Sequence, residues 1–293
     1  MATDEERPVV AATDGSPAAI EAAEWAAVEA ARRGRRLELV HVPAWPGFVA
    51  TTLPGWPNWD AEMFETVGCA ALEETRLAVR AREPELPVST EMIRGPVTEA
   101  LVGRSAGTEL LVLGRRGRGR FPDLIAGATV SQVAQYARCP VVVVPQHTTA
   151  DEDGPGIVLG VDIAPGCEPA IGFAFEAATR CRLPITAVRG WTLLTDEPGI
   201  LSLGPTRLSQ ELESEQRRLL SEALAGWCTK YPDVPVRTMT IREHAGRALV
   251  ETSRGAHLLV VGARGAGGFA GLLLGSVSDT VVRHAPCPVA VVR

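Results

Sequence analysis

The chain has 293 residues, 46% of them apolar, and a net charge of −6. That length predicts two domains rather than one. The acidic balance excludes the basic face of a nucleic-acid binder, and no apolar run reaches the ~20 residues that a membrane span needs. The N-terminal MATDEERP is acidic, without the basic-then-apolar order of a secretory signal. Six cysteines occur without any CxxC pair or zinc spacing, which fits small buried thiols in a reducing compartment. A cytoplasmic protein is expected. Of 29 basic residues only Lys230 is lysine. Arginine also suits anion binding through its planar fork.

In chain order, Pro8–Thr13 (PVVAAT) reads as a short buried strand that turns at Asp14-Gly15. Ser16 can cap the following helix, Pro17 suits its first position, and Gly34 ends it after Arg32 and Arg33. Arg36–Val42 (RLELVHV) is a second strand. A Trp/Pro-rich loop (AWPGFVATTLPGWPNW) leads to a long helix over Ala61–Arg82. Its Trp45, Trp56 and Trp59 read as loop packing, with a lid or an interaction surface as the alternative. Val88–Ile93 is a third strand, Thr98–Ser105 a helix, Leu110–Leu113 a fourth strand, Ser131–Ala137 a helix and Val141–Val144 a fifth strand.

The chain then repeats. Gly114 pairs with Gly262, Gly117 with Gly265, Gly127 with Gly275, Cys139 with Cys287 and Asp14 with Asp162, every difference being 148. A constant offset over so long a stretch means two copies of one domain, 1–148 and 149–293, joined at the polar HTTADEDGPG. The second copy supplies strands at Ile157–Val161, Ile185–Val188, Val236–Ile241, Leu258–Val261 and Val289–Val292. Short runs such as LLVVG and PVVVVP, apolar on both faces, predict parallel sheets covered by helices on each side. The expected fold is α/β: two tandem doubly wound domains, each a five-stranded parallel sheet of order 3-2-1-4-5. In that order the ligand crevice opens at the strand carboxyl ends, between strands one and four.

Two features occupy those ends in both copies: the aspartate after strand one and a glycine loop after strand four. In copy two the loop runs Gly262, two residues, Gly265, nine residues, Gly275-Ser276, then a short helix. Glycines let backbone N–H groups approach an anion. Ser276 and Ser278 can cap the helix and donate to phosphate, the helix N-terminus favours negative charge, and Arg264 adds a cation. A Walker A loop is excluded because neither loop contains lysine. The formal GxGxxA match at Gly265–Ala270 follows strand four rather than strand one, so it is no dinucleotide fingerprint.

These residues resemble the ATP-binding branch of the universal stress protein family, whose signature Gly-x2-Gly-x9-Gly-Ser/Thr is matched by Gly262, Gly265, Gly275 and Ser276. The resemblance covers the whole chain, twice. It implies ATP as ligand, with Mg2+ or Mn2+. It places Gly160 and Asp162 by the nucleoside and Gly190 near the base. Val261, Gly262, Arg264 and Gly265 would line the loop, and Gly275, Ser276, Val277 and Ser278 would hold ribose and phosphates. In copy one the corresponding positions are Ala12, Asp14, Val42, Leu113, Gly114, Arg116, Gly117, Gly127, Ala128 and Thr129, with Val130 in place of Ser278. Two hydroxyls are thus missing there, a loss of about 1 kcal/mol each. Arg115, Arg118 and Arg120 add charge. Both copies are expected to bind ATP, copy one more weakly.

No histidine repeats at the offset, and no GxSxG or HExxH occurs. A nucleotide-dependent regulator of stress or growth is therefore expected, with little or no hydrolysis. The alternatives are a ligand-free dimeric scaffold and a slow ATP hydrolase or adenylyl-transfer enzyme. Strand five of each copy is an apolar edge strand, a pairing liability unless covered. The family resemblance implies pairing of the two domains through these strands. A homodimer is expected in addition, and an unknown protein partner.

Overall fold

The computed structural model describes residues 7–43, 61–117, 128–148, 150–151, 153–163, 166–192, 207–265 and 274–293, without the side chains of 61–64, 128 and 207–208. Trp45, Trp56, Trp59, Arg118, Arg120, Gly127 and the GxGxxA stretch from Ala266 onward lie outside these residues. The chain divides into two compact units, Met1–His147 and Thr148–Arg293.

Unit 1 runs β1 (Val9–Ala12), α1 (Pro17–Arg33), β2 (Leu37–His41), α2 (Ala61–Arg82), β3 (Val88–Met92), α3 (Val97–Ser105), β4 (Leu110–Gly114), α4 (Ala128–Tyr136) and β5 (Val141–Val144). Its strands lie in the order β3-β2-β1-β4-β5, with every described pair parallel. Unit 2 runs β6 (Ile157–Gly160), α5 (Glu168–Cys181), β7 (Ile185–Trp191), α6 (Arg207–Lys230), β8 (Val236–Arg242), α7 (Ala245–Thr252), β9 (Leu258–Gly262), α8 (Ser276–His284) and β10 (Val289–Val292). Its strands lie in the order β8-β7-β6-β9-β10, again parallel. Both are the doubly wound sheets that the apolar runs predict. In unit 1, α1 packs with α2 and α3 packs with α4; in unit 2, α5 packs with α6 and α7 with α8.

The inner strands are buried on both faces because helices cover both: Val9, Val10, Leu37, Leu39, Leu110 and Leu111 are each fully buried. Helix α1 approaches the sheet closely by using alanine. Ala19, Ala22, Ala23, Ala26, Ala27 and Ala30 form its buried stripe at helical spacing. Ser16 accepts from the Ala19 N–H at 3.3 Å as the N-cap, and Pro17 follows it. The helix ends at Gly34, whose φ of 63° is left-handed. The same position in unit 2 is Arg182, at φ 55°.

Some boundaries differ from the sequence reading. Strand β7 extends through Arg189, Gly190 and Trp191 because β8 pairs with it along that whole length. Helix α4 begins at Ala128 rather than Ser131. Helices α1 and α5 end at corresponding residues, Arg33 and Cys181, but α5 has 14 residues and α1 has 17. Helix α5 therefore begins three positions later than α1 in the repeat. Cys139 and Cys287 are buried, and burial pushes the Cys139 thiol up to about 12, so it stays protonated.

Candidate functional site

In each unit the crevice lies at the carboxyl ends of the first and fourth strands, where the strand order reverses. Asp14 follows β1 and Asp162 follows β6. A Cβ built on Gly117 would lie 2.6 Å from Asp14 Oδ2, and one built on Gly265 would overlap Asp162 Oδ2. The second loop glycine thus lets the aspartate carboxylate lie directly against the loop in both copies, and a side chain there would displace the carboxylate. In unit 1 the Ser16 N–H also donates to Asp14 Oδ1 at 2.9 Å.

Every residue predicted for the second copy lines one cavity in unit 2: Gly160, Asp162, Gly190, Val261, Gly262, Arg264, Gly265, Gly275, Ser276, Val277 and Ser278. Helix α8 points its N-terminus into it. Gly275 is the N-cap, with φ −70° and ψ 153°, and its carbonyl accepts the first helical bond, from the Asp279 N–H at 2.9 Å. The amides of Ser276, Val277 and Ser278 precede that bond, so helix geometry leaves them free to donate to an anion. Neither backbone conformation nor crowding forces a glycine at 275, since a Cβ there would make only ordinary contacts, the nearest at 3.5 Å. Its lack of a side chain keeps space in the cavity.

The serines divide their work differently from the sequence reading. Ser276 is not the cap; it is the first residue of α8, and it is exposed. Ser278 is buried, and its hydroxyl donates to the Gly262 carbonyl at 2.6 Å. It therefore fastens the glycine loop to α8. The end of the cavity near α7 is close-packed: a Cβ on Gly190 would collide with the Ala245 backbone at the start of α7, and one on Gly160 would lie 2.9 Å from Leu249 Cδ1. Sequence reasoning missed Val161, Val188, Arg189, Ala245 and Leu249 as cavity residues. The available signal for Arg189 was its place directly after the Ile185–Val188 run, at a strand carboxyl end.

In unit 1, Ala12, Asp14, Val42, Leu113, Gly114, Arg116, Gly117 and Thr129 line a cavity at the corresponding place. Gly127 and the Ala128 side chain lie outside the described residues. This cavity is larger, ≈ 530 Å³ against ≈ 230 Å³, and its additional lining mixes apolar Val67, Pro43 and Val97 with polar Thr13, His41 and Arg115. Val130 occupies the position of Ser278 and makes no clasp. Gly114 has a packing duty that Gly262 lacks: a Cβ on it would lie 2.7 Å from the Ala18 carbonyl oxygen of α1. Among the described residues a Cβ on Gly262 meets only the Arg264 carbonyl, at 3.2 Å. The shorter α5 accounts for the difference. His41, at the position of Arg189, is buried, with Nδ1 2.8 Å from the Thr13 carbonyl.

Cys167, next to α5, has its thiol pushed up by burial, then by the charges of Glu168 and Asp162. Among the described residues no group of three or more His, Cys, Asp or Glu side chains is placed to hold a metal ion. No helix among them is long and apolar enough to cross a membrane.

A doubly wound unit with an aspartate and a glycine loop at its switch point, present twice, defines the class. The universal stress protein family model matches residues 6–145 and again 156–293. A universal stress protein of Mycolicibacterium smegmatis is 36% identical over 296 residues, covering 97% of this chain and 96% of that one. One of Mycobacterium tuberculosis is 34% identical over 294 residues, with 97% and 96% covered. The crystal structure of a universal stress protein from Archaeoglobus fulgidus superimposes with a TM-score of 0.68 at 16% identity, covering 98% of both chains. The chain belongs to the universal stress protein family, in its tandem-domain form.

Proposed function

We propose that this protein is an ATP-binding regulator whose better site is in unit 2. The observation that carries this reading is the α8 N-terminus: three amides free to donate, an exposed Ser276 hydroxyl and the exposed Arg264 guanidinium converge on one cavity. That donor set fits a polyphosphate. The apolar end formed by Val188, Gly190, Ala245 and Leu249 fits a flat base.

A bound nucleotide would bring its own Mg2+ or Mn2+ on its phosphates, with Asp162 the carboxylate at hand. The described residues around the cavity bind and orient, and among them there is no paired base and nucleophile. We therefore read ATP as an effector, with slow hydrolysis at most. The unit 1 site, lacking both serines, binds the same ligand more weakly. The apolar β5 and β10 are each an edge of their own unit's sheet, and we propose that they pair with one another within the chain. Association of two chains, a protein partner and a cytoplasmic location belong to the same reading.

Titration of ATP, ADP, AMP and cyclic AMP into the purified chain, followed by a turnover assay on ATP, tests it. Binding of ATP with negligible turnover is expected. Absence of binding by any of the four would leave the ligand-free scaffold as the reading, and multiple turnover abolished by Asp162→Ala would make the protein an enzyme.

A further inference from the structure

Three of the unit 2 cavity residues are charged: Asp162, Arg264 and Arg189. Arg189 is unexpected. It stands in the strand ITAVRGW with its side chain only 13% exposed, a placement that requires a partner for its charge. Its Nη1 lies 3.9 Å from Asp162 Oδ1, and its Nε donates to Gln216 Oε1 of α6 at 2.7 Å. The guanidinium is thus anchored by Gln216, with the carboxylate that abuts Gly265 at ion-pair distance on its other side.

The unit 1 cavity has the same charge inventory from different positions. Its lining contains Asp14, Arg116 and Arg115. Arg116 corresponds to Arg264, but Arg115 corresponds to Ala263, while Arg189 corresponds to His41. Among the described residues each lining therefore has one carboxylate and two guanidiniums. The second guanidinium comes from the glycine loop in unit 1 and from the second strand in unit 2. A carboxylate in a cavity that receives phosphates repels them unless its charge is offset.

We propose that Arg189 is a positioning and charge-compensating residue of the unit 2 site. It holds the Asp162 carboxylate toward Gly265 and offsets its charge, which fits the cavity for a polyphosphate rather than for the uncharged nucleoside alone. This rests on the ATP reading above. Arg189 performs in unit 2 the electrostatic work that Arg115 performs in unit 1.

The test uses the full chain, titrated with ATP and separately with adenosine at two salt concentrations, and follows the tighter binding event. Arg189→Gln should weaken ATP binding by about tenfold and lower its salt dependence, while adenosine binding changes by less than about twofold. Arg189→Lys should return ATP affinity to within about threefold of the parent. Adding Ala263→Arg to Arg189→Gln should also recover ATP binding; if thermal melting shows that this double variant does not fold, the lysine variant decides. Equal losses for ATP and adenosine would make Arg189 a purely structural tie between β7 and α6 and overturn the proposal. So would unchanged ATP affinity, or failure of lysine to rescue. If the parent chain binds no ATP, the functional reading has failed and the proposal falls with it, an outcome visible before any Arg189 variant is made.

Discussion

The two units carry one design with unequal duties. In unit 1 the first loop glycine, Gly114, packs under the opening turn of α1. In unit 2 the helix starts three residues later, and the equivalent Gly262 is instead tied to α8 by the Ser278 hydroxyl. The same glycine thus serves packing in one copy and cavity shape in the other. A motif residue shared by duplicated domains does not by itself report a shared function; what its missing side chain would have touched does.

The largest expected asymmetry is electrostatic. Arg104 in unit 1 donates to Glu38 through Nε at 2.9 Å and Nη2 at 2.6 Å, and to Glu91 at 3.3 Å. Thr186, Met239 and Thr252 stand at the corresponding places in unit 2, so no such cluster exists there. Burial works to raise the Glu38 pKa, but the hydrogen bonds and charge of Arg104 outweigh it and leave it below the ordinary 4.5. A depressed carboxylate stabilises the fold above its ordinary value, and that stability is lost as pH falls through the folded value. Glu91 runs the other way: its hydrogen bond with Glu38, then burial, raise it, so its ionised form costs stability near neutrality. Arg104→Ala should remove about 3 kcal/mol from unit 1, leaving a buried Glu38 beside Glu91. Unfolding monitored by hydrogen exchange should show the loss in unit 1 peptides alone. A loss spread equally over both units would break the distinction.

Next in size are the paired glycine variants. Gly114→Ala pushes a Cβ against the Ala18 backbone and should cost about 2 kcal/mol in a denaturant melt. Gly262→Ala, facing one carbonyl at 3.2 Å, should cost less than about 1 kcal/mol. The reverse ranking would contradict the packing difference. Exchanging the hydroxyls sharpens the binding side. Ser276→Ala should weaken the tighter ATP site by about fivefold, and Ala128→Ser should strengthen the weaker one by a similar factor, both read by calorimetry. Smallest is the helix end: Arg182→Gly relieves a left-handed residue that Gly34 already occupies without strain, and should stabilise unit 2 by about 0.5–1 kcal/mol.

Much of the fold was legible because local and long-range signals agreed. Ser16, Pro17 and Gly34 bound α1 as their chemistry predicts, and the apolar runs gave parallel strands with the switch point between β1 and β4. The repeat offset located both aspartates and both loops. What stayed hidden depended on packing between elements distant in sequence. Nothing local to Ser278 says that its hydroxyl reaches the Gly262 carbonyl 16 residues away. Nothing local to Arg189 names Asp162 and Gln216 as its neighbours, and the charge exchange with Arg115 appears only once both cavities are lined.

The central claim is an unequal pair of nucleotide sites, with the stronger in unit 2. Calorimetric titration of ATP into Asp14→Ala and Asp162→Ala chains measures it directly. The account predicts that Asp162→Ala removes the tighter binding event and that Asp14→Ala leaves it in place. Equal losses in the two variants, or retention of the tighter event in Asp162→Ala, would contradict it.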